Sequence, residues 1–411
     1  MRRLAGLAPF QVRGFRFQWP ADLLTSWASE METLILGWYI LVETGSVLLL
    51  TVFGALQFLG TLIAPLMGVA GDRIGHRNVM FAMRTVYLLL AATLMALAFA
   101  RAISPPVVLL IVGLNGMVRP ADMGVRTALI AHTVPRDLLI GALSIARTTV
   151  DSARIAGALA GAGLVVAFGM GPAYVAVTSF YAAGALLTLG VTTPQPHPHA
   201  EAVTVPVASP WHDLKEGISY VLSTRGLHAA TWLAFLVNAT AYPVTNGLLP
   251  YVARDVYGTD QTGLGYLVAS FAAGALLGSI TLAVAAGRAR LQRVLIVSCA
   301  VWYAMLLVLA QTGSMTGGIL CLVPAGFMQS MSMVSLSGIL MHATDPRFRG
   351  RVMGVRMLAI YGLPFGLLGA GALVGRIGFG ATATIYAGVG LVLTLITAVR
   401  WRADARRAVA P

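Results

Sequence analysis

The chain has 411 residues, 58% of them hydrophobic and only 10% charged, and carries a formal net charge of +13. A soluble domain has about 25% charged residues, so the composition argues against a soluble enzyme. The positive charge is better placed in loops on one face of a membrane than on a nucleic-acid surface. Twelve spans of about 20 residues each would use a little over half the chain and leave short loops with one longer linker. Residues 1–20 interleave Arg2, Arg3, Arg13 and Arg16 with Phe10, Phe15, Phe17 and Trp19, the mixture of arginine and aromatic rings that suits a membrane interface. No short apolar core with a small-residue cleavage site follows, so no removable signal peptide is expected. The first span, 21–42, is unusually polar. Asp22 can sit at the interface, whereas Glu30 and Glu32 fall near mid-depth at about 1.5 Å of rise per residue.

The second span is expected over 46–67 and the third over 78–100. Between them lies Gly68-Val69-Ala70-Gly71-Asp72-Arg73-Ile74-Gly75-His76-Arg77. Glycines permit a tight turn and close backbone approach, and its charges mark a membrane face. The arginines make that face cytoplasmic. The pattern resembles the signature loop between the second and third helices of the major facilitator superfamily. Gly68, Asp72, Arg73, Gly75 and Arg77 match it residue by residue, and His76 stands where a basic residue is usual. The resemblance implies a gating role for this loop, with Asp72 set against the neighbouring half near Gly350-Arg351-Val352, so that Arg351 joins the expected gate. Phe15-Arg16, Ser26, Glu30 and Thr44-Gly45-Ser46 are similar to the first helix of the drug and siderophore exporters of that superfamily, which commonly carry an acid near Glu30.

The third span holds Arg84 close to its cytoplasmic end, where it can snorkel. The fourth, 107–131, carries Asn115, Arg119, Pro120, Asp122 and Arg126, and the resemblance makes Arg119 the arginine expected there. The fifth, 138–168, carries Arg147, Asp151 and Arg154 at i, i+4 and i+7, on one helix face. Gly157 and Gly161 form a small-residue face for close packing. Ala156-Gly157 replaces the Gly-Pro usual in antiporters of the family. The sixth span covers 171–191. Residues 192–227 form a polar linker with Pro194, Pro196, Pro198, His197 and His199, ending in an amphipathic helix over 211–224.

Spans of the second half are expected at 228–252, 261–286, 292–312, 316–341, 352–374 and 379–399. Its cytoplasmic loops hold arginine triplets, Arg288, Arg290 and Arg293, then Arg347, Arg349 and Arg351. Thr133-Val134-Pro135-Arg136 repeats as Thr344-Asp345-Pro346-Arg347, and Ala70-Gly71 with Arg77 as Ala286-Gly287 with Arg293. These offsets favour two six-helix bundles, residues 1–191 and 228–411, joined by the 192–227 linker. The expected fold is therefore all-α, with twelve transmembrane helices in two pseudo-symmetric bundles. The expected location is the cytoplasmic membrane, with both termini cytoplasmic.

Eight charges lie inside the first-half spans: Glu30, Glu32, Asp122 and Asp151 against Arg119, Arg126, Arg147 and Arg154. A charge at mid-bilayer costs about 2.5–3.5 kcal/mol on insertion scales, so they should face the bundle interior. Two readings stay open: a static ion-pair network, or acids that exchange a proton during transport. Among the acids Glu30 is the first coupling candidate and Asp151 the second, followed by Glu32 and Asp122. The second half offers Phe235, Asn238, Tyr242, Gln329 and Met331 as candidates for a cargo cavity or, equally, as packing residues. Only two cysteines are present, Cys299 and Cys321, and the one lysine, Lys215, lies in no phosphate-binding loop. No metal site, cofactor or ATP hydrolysis is expected, and the intramembrane acids together with the lack of an ATP site favour the proton gradient as the energy source. The expected function is secondary export of a small amphipathic solute across the lipid bilayer by a monomer. Uptake, lysophospholipid flipping and a non-transporting sensor or scaffold remain alternatives. The arginine asymmetry predicts that a cysteine introduced at Val205 will not react with an impermeant reagent applied to intact cells; efficient labelling there would overturn the topology.

Overall fold

The computed structural model describes residues 5–192, 210–284, 291–345 and 348–407, and among them every regular element is helical. The Pro194–His199 stretch and the side chains of Arg288, Arg290 and Arg347 lie outside the described residues. In the first half the helices are α1 (Arg13–Thr44), α2 (Val47–Leu56), α3 (Ala64–Ile74), α4 (His76–Phe99), α5 (Pro105–Thr133), α6 (Arg136–Phe168) and α7 (Met170–Leu189). The second half has α8 (Pro210–Ser223), α9 (Arg225–Thr240), α10 (Leu249–Tyr251), α11 (Gln261–Val284), α12 (Leu291–Gln311), α13 (Met315–Ala343), α14 (Arg349–Ala359) and α15 (Gly362–Arg407). Residues group into two compact units, Met1–His197 with Thr259–Ala269 and Pro198–Gly258 with Ser270–Pro411.

Eight of the described helices are long and apolar enough to cross a membrane. The difference from twelve has local causes. α1 has 32 residues, but its acids and hydroxyls lower its hydropathy. The expected second span is interrupted: α2 stops at Leu56, a 3-10 turn covers Leu59–Leu62, and α3 restarts at Ala64 with Pro65 in its first turn. Proline lacks the amide proton that a continuous helix needs, which fits it to a helix start. The seventh is broken similarly, with π turns at Pro243–Gly247 and Val252–Val256 around the short α10. The eleventh expected span begins as α14, breaks at Ile360 and Tyr361, and then runs together with the twelfth in α15, where Gly378 at φ 78° turns the chain between two helices. That backbone region is open to glycine at no steric cost.

The signature stretch differs from its expected form. It is not a loop but the last turns of α3, and Gly75 alone, at φ 90°, separates α3 from α4. Gly68, Asp72 and Arg73 are thus helical. The amphipathic piece of the linker is helix α8, as its spacing predicts.

In the first unit α1 packs against both α6 and α7, and α4 packs against α7 and α5. Met31, Ile35, Leu36 and Ile40 of α1 join Met80, Met83 and Tyr87 of α4 and Tyr174, Val177 and Tyr181 of α7 in one core. The Gly157–Gly161 face lies where α6 meets α1. A Cβ at Gly157 would sit 3.1 Å from the Trp27 carbonyl, and one at Gly161 3.0 Å from the Met31 Cα. In the second unit α12 packs against α13 and α15. Trp302 and Tyr303 are fully buried, and the Tyr303 hydroxyl lies 2.7 Å from the Thr240 hydroxyl of α9.

The crossing of α11 and α13 depends on missing side chains. A Cβ at Gly326 would collide with the Phe271 carbonyl and stand 3.1 Å from the Ala275 nitrogen. Overpacking of this kind costs roughly 1–3 kcal/mol. Gly326→Val should therefore lower the thermal unfolding midpoint of the purified protein. Gly388→Val, at a position with open space around it, should leave the midpoint within error.

Candidate functional site

The polar groups of the first unit converge on α1. At one level Asp22 receives the Arg84 guanidinium of α4, which also donates to the Thr188 hydroxyl and, at 3.4 Å, to the Gly184 carbonyl of α7. Arg84 is wholly buried and Asp22 nearly so. The expectations that Asp22 lies at the interface and that Arg84 snorkels do not hold, because each is the other's partner inside the bundle. Arg126 of α5 completes the group. Its Nε is 3.6 Å from Asp22, one terminal nitrogen binds Asp122 at 2.6 Å, and the other donates to the Ser26 hydroxyl at 3.0 Å. Gln18 donates to the Arg126 carbonyl at 3.3 Å. Asp22, Arg84, Arg126 and Asp122 thus tie α1, α4 and α5 together, with α7 held through Thr188.

About three helical turns further along α1, a second polar group surrounds Glu32. Its carboxylate accepts hydrogen bonds from the Tyr181 hydroxyl of α7 at 3.0 Å and from the Asn115 amide of α5 at 3.3 Å. Arg119 stands beside it and donates to the Gln57 side chain at 2.6 Å and to the Thr33 hydroxyl at 3.0 Å. Glu32, Thr33, Gln57, Asn115 and Arg119 line a small cavity whose other walls include Leu36, Phe53 and Val112. Gln57 stands at the C-terminal end of α2, so the break there places an amide side chain against the guanidinium. Tyr181, Thr188 and Gln57 escape sequence inspection because each is an ordinary helix residue until its partner is known.

The remaining candidates lie on the α6 side. Arg147 reaches Asp151 one turn along its own helix at 3.3 Å, with 47% of the arginine side chain exposed. Arg154 approaches Glu30 at 4.0 Å, with the two side chains 32% and 21% exposed. Glu30 thus faces Arg154, whereas Arg147 turns to Asp151 and Arg119 to Thr33 and Gln57. Of the ion pairs described in this unit, that of Glu30 is the longest.

Around the signature stretch, the His76 ring lies against Gly71, whose Cβ would meet it at 2.8 Å, and stacks on His132 of α5 with centroids 4.8 Å apart. Arg77 bonds the Asn78 side chain at 3.3 Å, and Arg73 is exposed. The Asp72 side chain lies outside the described side chains. In the second unit Arg351 pairs with Glu216 of α8 at 3.0 Å and lies over the Phe348 ring at 5.4 Å. The Phe348 ring stacks on Tyr220 of α8 with centroids 4.3 Å apart, so α8 is strapped to the start of α14.

Of the cavity candidates, Gln329 of α13 donates to the Tyr242 hydroxyl at 2.6 Å, and Tyr242 packs edge-on against Trp302. The Asn238 amide bends back to the Ala234 carbonyl of its own helix at 2.8 Å. Phe235 is 38% exposed and stacks on Trp232. Met331 is half-buried. The structure therefore brings Tyr242 and Gln329 together and leaves Asn238 and Phe235 in separate surroundings. Among the described residues no group of three or more metal-ligating side chains occurs.

The family model of the Major Facilitator Superfamily matches residues 21–364 and, in an overlapping second match, 231–411. No curated relative matches the chain. Several solved structures share its fold. The nucleoside transporter NupG has 16% identity and a TM-score of 0.70, over 94% of this chain and 99% of that one. The POT family transporter PepTSo has 12% identity and a TM-score of 0.75, over 95% and 98%. The human organic anion transporter MFSD10 has 18% identity and a TM-score of 0.64, over 94% and 99%. Likeness at these identities extends to the fold alone. With a family match across most of its length, apolar helices long enough to cross a bilayer and a matching fold, the chain belongs to the Major Facilitator Superfamily and is a multi-pass membrane transporter of small molecules, not an enzyme.

Proposed function

We propose that the protein is a proton-coupled exporter of a small amphipathic solute. In this reading twelve helices cross the cytoplasmic membrane as a monomer with both termini cytoplasmic, and transport proceeds by alternating access. The observation that carries the coupling assignment is the contrast among the buried acids. Asp22 is bound by two arginines, Glu32 by a tyrosine and an asparagine, Asp122 by Arg126 and Asp151 by Arg147. Among the described residues Glu30 has only Arg154 as an ion-pair partner, at 4.0 Å, and it keeps part of its side chain accessible. A carboxylate that exchanges protons needs water access and a charge partner that yields, because a charge-assisted bond of about 2.7–2.9 Å would hold it ionised. Glu30 meets both needs. It lies on the helix that also carries the Asp22 and Glu32 anchors, so a change in its charge acts on the element at the centre of the unit. Asp151 ranks second, and Glu32 and Asp122 serve the fixed network. Tyr242 and Gln329 offer a hydroxyl and an amide for cargo in the second unit, and Asp72 acts in closing the cytoplasmic side.

Transport in sealed vesicles with an imposed pH gradient, tested against a panel of amphipathic solutes, checks the assignment. Glu30→Gln keeps size and hydrogen bonding but removes the titration. It should reduce gradient-driven transport to background while cargo binding survives. Parental coupling in that variant would make Glu30 a structural residue.

The gate is tested separately. Asp72→Asn should lower the transport rate severalfold with normal membrane insertion, and a properly inserted variant at the parental rate would remove Asp72 from the gate.

A further inference from the structure

The second unit carries an open groove of about 400 Å³ at the end of α15 that begins with Arg400, apart from the polar groups described above. His228, Ala229 and Trp232 of α9 form one wall, and Leu393, Ile396, Thr397, Arg400 and Trp401 of α15 form the other. We propose that this groove binds an anionic phospholipid, its phosphate held by Arg400 and His228 and one acyl chain lying along α15.

Three observations fix that occupant. First, the donors gather at one end. Arg400 and His228 are exposed, and among the described side chains, which end at Trp401, Arg400 meets no acid within ion-pair distance. A guanidinium offers a planar fork of donors that matches phosphate oxygens. The Thr397 hydroxyl already donates to the Leu393 carbonyl at 2.8 Å, so it does not compete for the anion as a donor.

Second, the groove continues as an apolar track. Ile385, Val389, Val392 and Ile396 are each more than 40% exposed, and their spacing puts them on one side of the helix. From Ile385 to Ile396 the helix rises about 16 Å, close to the ~15 Å of one leaflet's hydrocarbon. The polar end thus meets the headgroup level when the track lies in the acyl region. Trp232, 40% exposed, stands at the boundary, where an indole suits both environments.

Third, local charge selects against a zwitterion. The sequence from Arg400 to Arg407 holds Arg400, Arg402, Arg406 and Arg407 against the single acid Asp404. Anionic lipid is drawn to such a basic cluster at the surface. A phosphocholine headgroup has no net charge to offer it.

Native mass spectrometry of the full-length protein released from detergent tests the proposal, with phosphatidylglycerol and phosphatidylcholine of equal chain length titrated separately. The parent should retain phosphatidylglycerol in preference to phosphatidylcholine. Arg400→Gln should weaken phosphatidylglycerol retention about fivefold, the effect of one basic residue at an anionic surface, and leave phosphatidylcholine unchanged. Arg376→Gln removes the same charge from another exposed position of α15 and should change neither. Brominated acyl chains should quench parental emission more strongly than that of Trp232→Phe, which reports occupancy of this groove. Equal retention of the two lipids by the parent, or undiminished phosphatidylglycerol retention in Arg400→Gln, would overturn the proposal.

Discussion

The first unit is organised by the requirement that charge taken into an apolar bundle must be matched there. Asp22 and Arg84 are almost completely withdrawn from solvent, and removing one partner of such a pair typically costs 3–5 kcal/mol. Their contact also reaches Arg126, Asp122 and Thr188, so one acid on α1 gathers donors from α4 and α5 and, through Arg84, the hydroxyl of α7. The apolar core packs between the same helices, α1, α4, α5 and α7, that this pairing joins. α1 is too polar to count as a membrane span by composition. Its polar side is tolerable because the neighbouring helices satisfy it.

Much of this plan was legible in the chain. The apolar runs mark most helices, the glycine pair at Gly157 and Gly161 marks the α1–α6 contact, and the Asp72 signature marks the family. Linear counting gives the depth of a residue but not its direction around the helix. Asp22 and Arg84 each lie near a helix end in sequence, where the interface is the natural place for them, and only the approach of α1 to α4 makes them partners. The same limit applies to Glu30, whose partner Arg154 is one of several arginines at comparable depth. The break near Leu59–Leu62 falls inside a largely apolar stretch, where hydropathy does not register a change of backbone geometry, whereas Pro243, Thr245 and Asn246 mark the break at Pro243–Gly247 by residue type that a hydropathy count averages away.

The two units solve the polar problem differently. The first contains charges arranged as interlocking pairs. The described interior of the second relies on neutral groups, with Gln329 on Tyr242 and Thr240 beside Tyr303. Neutral pairs are cheaper to separate than ionic ones in a low-dielectric medium. A shared fold at 12–18% identity to known transporters leaves chemistry of this kind free to vary, so cargo and coupling rest on a small number of side chains.

The strap between α8 and α14 bears on where the polypeptide could be divided. Stacking of Tyr220 on Phe348, the Glu216–Arg351 pair and the Tyr220 hydroxyl accepting the Asp345 amide at 3.3 Å all hold the linker helix to the second unit. Gly217 lets the backbones approach, since a Cβ there would sit 3.0 Å from that of Arg351. A protein expressed as two complementing fragments would therefore be cut ahead of Pro210, because a cut after Ser223 would sever the helix from the surface that receives it.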